Sequence, residues 1–175
     1  MFDTVFGLPV HVLILHAAVI GVPVAALATA AVAVRPVWLP KFGWWVVGLD
    51  AVILLVVFVT RESGQEFAER LFPDPASRSP QLRTHIARGE DMLWYAIALF
   101  VVALALVFVA RQRDRGDMFR PGGNFPAFLV PTVAVLAVAA AVLATIQVIR
   151  VGHSGSSAVW EDVVKSTDSA AASTR

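Results

Sequence analysis

Residues Leu8–Val34 read LPVHVLILHAAVIGVPVAALATAAVAV. An apolar stretch of this length crosses the hydrocarbon of a bilayer, which takes about 20 residues as a helix. Its only ionisable side chains are His11 and His16, both near its start, and Arg35-Pro36 closes it. Three more runs of the same kind follow. One spans about Phe42–Thr60 and ends at Arg61-Glu62. Another spans about Met92–Ala110 and ends at Arg111-Gln112-Arg113. The last spans about Phe128–Val151, after the breaker Pro121-Gly122-Gly123-Asn124. A barrel strand needs only about 10 residues in strict alternation, so these runs are helices. The expected fold is all-α: an integral membrane four-helix bundle over residues 1–160, with a tail at 161–175 rich in Ser, Ala and Thr that reads as disordered. No internal repeat is evident.

Composition agrees. Of 175 residues, 58% are hydrophobic and 15% charged, and the mean hydropathy is +0.73. A water-soluble fold this small buries only about two-thirds of the surface its chain exposes, too little to hide this much apolar surface. The net charge of +1 leaves no electrostatic footprint for nucleic acid, so the expected surroundings are lipid. With no cysteine, disulfides, thiolate zinc sites, iron–sulfur clusters and covalently attached haem are excluded.

Met1–Gly7 carries only the charge of Asp3. A cleaved signal peptide needs a basic start, so the first run is expected to be a retained helix. Four spans put both termini on one side. Arg35, Lys41, Arg111, Arg113, Arg115 and Arg120 crowd into the short first and third loops. Short basic loops stay inside, so the termini and the second loop are expected outside, in the inner membrane of a bacterium. That second loop, about Arg61–Asp91, is long for a bundle connection. Glu62–Phe72 has helical spacing, Pro73, Pro75 and Pro80 break the chain, and His85–Asp91 extends the third helix beyond the lipid.

All four histidines then fall at the outer face. His11 and His16 open the first span, His85 precedes the third, and His153 follows the fourth. At 1.5 Å rise per residue, His16 lies near the hydrocarbon edge, with His11, His153 and His85 about 5 to 10 Å above it. Imidazole suits haem iron, copper and zinc, and bundle cores commonly hold such sites. The bland alternative is a set of wetted interfacial histidines. Because His11 and His16 lie about 140° apart around a helix, they cannot both point straight into one small site from an ideal helix: either they serve two neighbouring sites or the helix start, just after Pro9, is distorted. His16 with His85 is the expected first ligand pair, and His11 with His153 the second. Glu62, Glu66, Glu90 and Asp91 stand at the same face as acceptors that could orient a ligating imidazole, and Arg150 as a partner for one of them. Asp50 is the only carboxylate inside an apolar run. It is expected either as a proton relay or as an interhelix hydrogen bond to Gln147 or a Thr. Trp44, Trp45, Trp94 and Trp160 read as interfacial anchors.

Leu8-Pro9-Val10-His11 followed by His16, then Ser63-Gly64-Gln65-Glu66, His85 with Gly89-Glu90 and Trp94, and Gly152-His153-Ser154-Gly155 with Val159-Trp160 resemble the motifs of a bacterial four-span family, domain of unknown function 2231. The likeness runs from about Gly7 to Trp160, and the intervening residues resemble its actinobacterial branch. Val12 stands where the family has a second Pro. The resemblance implies a fold and a motif set without an agreed activity. Modules of the family stand beside Rieske-type domains, which implies redox surroundings.

The expected function is a haem b or a copper or zinc site held by His11, His16, His85 and His153, serving electron transfer within or beside a respiratory or redox membrane complex. The alternative is a cofactor-free accessory subunit of a larger complex. A zinc hydrolase and a transporter follow at a distance, since no HExxH or Ser-His-Asp constellation and no broken-helix pair occur.

Overall fold

A computed structural model of the protein describes residues 4–5, 8–115, 126 and 128–173. A two-residue antiparallel pairing of β1 (Thr4–Val5) with β2 (Leu8–Pro9) leads into the first helix. The described residues then form α1 (Val10–Val34), α2 (Leu39–Leu71), α3 (Pro80–Arg115) and α4 (Leu129–Ser173). All four are long and apolar enough to cross a membrane. Arg120 and the breaker at 121–124 lie outside the described residues, as do Asp3 and most of the segment before Leu8.

Local chemistry sets the helix ends. Pro9 stands immediately before α1, and Pro40 sits in the first turn of α2, positions where a missing N–H costs nothing. The Ser79 hydroxyl accepts the Leu82 amide at 3.2 Å and caps α3. Arg35-Pro36 stops α1, and a 3-10 turn, Pro36–Trp38, hands the chain to α2. The second connection is shorter than the composition implies. Because α2 runs to Leu71 and α3 starts at Pro80, both helices stand above the apolar runs, and only residues 72–79 turn between them. Asp74 accepts the Ala76 amide at 2.9 Å, and Arg83 donates to the carbonyls of Ala76 and Arg78, so the turn is tied down.

At the other end, α4 continues as helix to Ser173, through most of the tail read as disordered, with the side chains of Val163–Asp168 exposed. Its alanines favour helix, and extending a helix requires no new nucleus.

Each helix packs on two neighbours: α1 on α2 and α4, α3 on α2 and α4, with α1 and α3 across the diagonal. The core divides into a cluster toward the histidine end around Val22, Ile53, Val57, Leu99 and Val148, and one toward the α1–α2 turn around Val32, Leu39, Leu106 and Val107. Large side chains such as Leu27, Trp45 and Trp94 face outward, as lipid requires, while alanines and glycines occupy the seams and let the backbones approach.

A repeat emerges from the buried positions. Along α1 and α3, Ala18, Val22, Ala25, Thr29, Val32 and Ala33 correspond at one constant offset to Met92, Ala96, Leu99, Ala103, Leu106 and Val107, and the half-buried His11 corresponds at the same offset to the half-buried His85. Along α2 and α4, Leu39, Val46, Asp50, Ile53, Val57 and Ser63 correspond likewise to Val130, Ala137, Ala141, Ala144, Val148 and Ser154. The hairpins α1–α2 and α3–α4 are therefore twins about an approximate two-fold axis running down the bundle. This corrects the expectation of no internal repeat. Partners differ in size more often than they match, so the repeat is one of burial rather than of residue identity.

Gly43 tests the packing of the cluster toward the α1–α2 turn. A Cβ there would stand 2.8 Å from a methyl of the buried Val107, a short side chain that cannot swing aside. Gly43→Val is expected to cost about 1–3 kcal/mol, read as a lowered thermal midpoint in detergent by circular dichroism. Gly48→Val, which meets open space, leaves the midpoint unchanged.

Candidate functional site: two imidazole clasps at one end of the bundle

His11 sits in the first turn of α1 and reaches across to α2, where its Nδ1 donates to the Thr60 carbonyl at 3.0 Å. The ring lies on Gly64: a Cβ at that position would be 2.8 Å from the His11 Cε1, so only glycine allows the approach. Ser63, buried beside it, donates to the same carbonyl at 3.1 Å. Phe67, one turn further along α2, stacks on the imidazole with centroids 6.4 Å apart.

His85 repeats this arrangement between α3 and α4. Its Nδ1 donates to the Val151 carbonyl at 3.2 Å, Ser154 donates to the same oxygen at 2.9 Å, and a Cβ at Gly155 would be 2.9 Å from the His85 Cε1. In both clasps, one helical carbonyl uses its second lone pair for an imidazole and a serine. Two-fold-related helices thus present two half-buried histidines.

The hydrogen bonds settle the tautomer. A carbonyl accepts only from a protonated nitrogen, so Nδ1 carries the hydrogen on both rings, and in the neutral imidazole Nε2 keeps its lone pair. A donor bond to a carbonyl is also the usual way a protein orients a ligating histidine and raises its basicity. The residues expected to do this were carboxylates; the structure uses backbone carbonyls instead. Glu62 pairs with Arg61, and Glu90 accepts from Gln65 at 3.0 Å, joining α2 to α3. Glu66 is half-buried and Asp91 exposed. Arg150 is exposed, and its carbonyl accepts from Arg88 at 3.3 Å.

His16 and His153 do not join the pair. Both are exposed, and the His16 Nδ1 bonds back to the Val12 carbonyl of its own helix at 2.9 Å. The inward pair is therefore His11 with His85, where the expected first pair was His16 with His85. The phase of α1 decides this, since the two histidines diverge around the helix. Among the described residues, no group of three or more His, Asp or Glu side chains stands close enough to hold a metal ion. The residues that composition alone did not single out are Ser63 and Ser154. Their signal is the Ser-Gly step present in both hairpins.

Deeper in the bundle, the Thr29 hydroxyl donates to the Asp50 Oδ2 at 2.7 Å, and both residues are buried. Gln147, the other expected partner, donates instead to the Arg88 carbonyl at 3.0 Å and latches α4 to α3.

A family model described as a predicted membrane protein, DUF2231, matches residues 7–168. No curated protein matches the chain, and no solved structure does.

Each glycine should report on its own clasp. Gly64→Ala displaces the His11 ring and Gly155→Ala the His85 ring. Each is expected to cost about 1 kcal/mol for the lost hydrogen bond. Nitrogen NMR of histidine-labelled protein checks this: each variant should shift one Nδ1-protonated imidazole and leave the other in place.

Proposed function

The chain belongs to the DUF2231 family of predicted membrane proteins, and on that premise we propose that it carries electrons at the outer face of a bacterial inner membrane, through a haem b or a transition-metal ion held by His11 and His85. The observation that carries this reading is the pair of Nδ1 bonds to helical carbonyls, which leaves two pre-oriented Nε2 lone pairs at the same end of the diagonal helices α1 and α3. When bound, such a group supplies a one-electron change of iron or copper. The chain's own residues supply the rest. Thr60 and Val151 hold the tautomer, Gly64 and Gly155 admit the rings, and the apolar cluster beneath, with Val22, Ile53 and Val57, excludes water from the floor. Imidazoles fixed in this way need little rearrangement when the charge on a ligand changes. His16 and His153 face away and are not assigned to ligation.

A second reading, a cofactor-free accessory subunit of a respiratory or redox complex, draws on a lateral cavity. Between α1 and α2 near the inner end lies a volume of about 540 Å³, lined by Ala28, Ala31, Val32, Trp38, Phe42, Trp45, Val46 and Leu49, which an apolar helix could fill.

A reduced-minus-oxidised absorption spectrum with elemental analysis on the detergent-purified protein separates the two. Haem bands or stoichiometric copper are expected in the natural chain, in His16→Ala and in His153→Ala, and are lost in His11→Ala and His85→Ala. A folded preparation that is colourless and free of metal overturns the first reading. Co-purification of a membrane partner from native membranes would then favour the second.

The sidedness is proposed from the basic short loops. Because the natural chain has no cysteine, single cysteines report it cleanly. In intact cells stripped of any outer barrier, a membrane-impermeant maleimide should label Ala76→Cys and spare Arg113→Cys. The reverse pattern puts the clasps at the inner face.

A further inference from the structure

The two-fold repeat fails at one buried level. Where the first hairpin has Thr29 and Asp50, the second has Ala103 and Ala141, and all four positions are buried. The twin hairpin packs with two alanines, so the bundle has no structural need for a hydroxyl and a carboxyl here. Burying a carboxyl in the middle of a membrane is costly and is retained where it does something.

The neighbours define what it can do. Thr29 satisfies Oδ2, while Oδ1 is buried and has no hydrogen-bond partner among the described residues. Asp50 is 2% exposed. The apolar runs of the four helices bring no Lys, Arg, His or second carboxylate to it. α1 faces it with Thr29, and the buried residues of α3 and α4 at this level are Leu99, Ala103, Ala137 and Ala141; the other titratable groups of those runs are Tyr95 on α3, packed on the cluster around Val22, and His11, His16 and Arg150 at the histidine end. No cation can neutralise the carboxylate. A proton on Oδ1 can. Toward the clasps, Val22, Ala25, Ile53 and Val57 close the interior. Toward the other face, the α1–α2 groove is lined by apolar side chains, among them Ala28 and Leu49, the chain neighbours of Thr29 and Asp50, and neither polar residue lines it.

We propose that Thr29 and Asp50 form a proton-binding site in the middle of the membrane, separate from the histidine clasps. The proton binds at Oδ1: a hydronium gives it up and leaves as water, and one O–H bond forms on the carboxyl. Thr29 donates to Oδ2 in both states, so the side chain stays in place while the proton comes and goes. The site requires no ligand at His11 or His85, so its test is independent of the reading above.

The test uses the full chain in phospholipid vesicles. The infrared difference between the natural protein and Asp50→Asn should show the carbonyl band of a protonated carboxylic acid at neutral pH. That band should fade as the pH is raised and return as it is lowered. A carboxylate signal at neutral pH overturns the proposal, and so does an acid band unmoved across the whole pH range in which the fold survives. A paired variant, Thr29→Ala with Asp50→Ala, gives the first hairpin the residues of the second. It should keep the natural thermal midpoint within a few degrees and lose the band entirely. A large fall in midpoint would make the pair structural and overturn the proposal.

Discussion

The histidine end of the bundle depends on an imidazole lying directly against the backbone of a neighbouring helix. Gly64 and Gly155 permit that approach, and each carbonyl one turn earlier, Thr60 and Val151, receives the ring nitrogen. Helices in lipid gain little from hydrophobic attraction to one another and associate through close packing and interhelical hydrogen bonds. The clasp supplies both at once. It joins α1 to α2 and α3 to α4, and it fixes which nitrogen of each histidine is left for chemistry. An alanine at either glycine would undo the packing, the hydrogen bond and the tautomer together.

Two such hairpins about a common axis make a bundle in which symmetry separates scaffold from specialisation. Positions filled alike in both halves, such as Val57 and Val148 or Ser63 and Ser154, serve the packing and the clasps. Positions that differ in chemistry rather than in size are the ones with something to explain. Asp50 opposite Ala141 is the sharpest of these, because an acid replaces a methyl at a fully buried level. The exposed His153 and its counterpart Glu62 differ as well. They stand at a wet face where exchange of polar groups costs little.

Much of this can be read from the chain. Runs of apolar residues with charged ends establish four spans, and the alternation of span direction places all four histidines at one face. Which two turn inward cannot be read there. An uncertainty of one residue in the start of α1 rotates His11 by about 100°, and the neighbouring helix decides the rest. The repeat is hidden for a related reason. Seams of constant width are filled by exchanging bulk across them, as Ile53 with Ala144 and Ala18 with Met92, so the halves agree in burial and disagree in letters. Asp50 is conspicuous in the sequence. That its partner is Thr29 rather than Gln147 depends on how α1 and α2 register against each other. The Ser-Gly steps were visible throughout but acquire meaning only once each is seen beneath an imidazole.

Polar groups therefore stand at two depths, with a plug of apolar side chains between them. From Asp50 to Thr60, the α2 backbone rises about 15 Å. Across that distance, at an effective dielectric constant near 20, a unit charge is worth about 1 kcal/mol. This is less than a tenfold effect on any equilibrium at the clasps. Protonation of Asp50 would therefore bias the clasps without commanding them, and no hydrogen-bonded chain through Val22, Ile53 and Val57 is available to pass a proton from one site to the other. The plug keeps the two sites chemically distinct while leaving them in weak electrostatic contact. A bundle this narrow can hold two sites on those terms because the low dielectric that carries the field also blocks the proton.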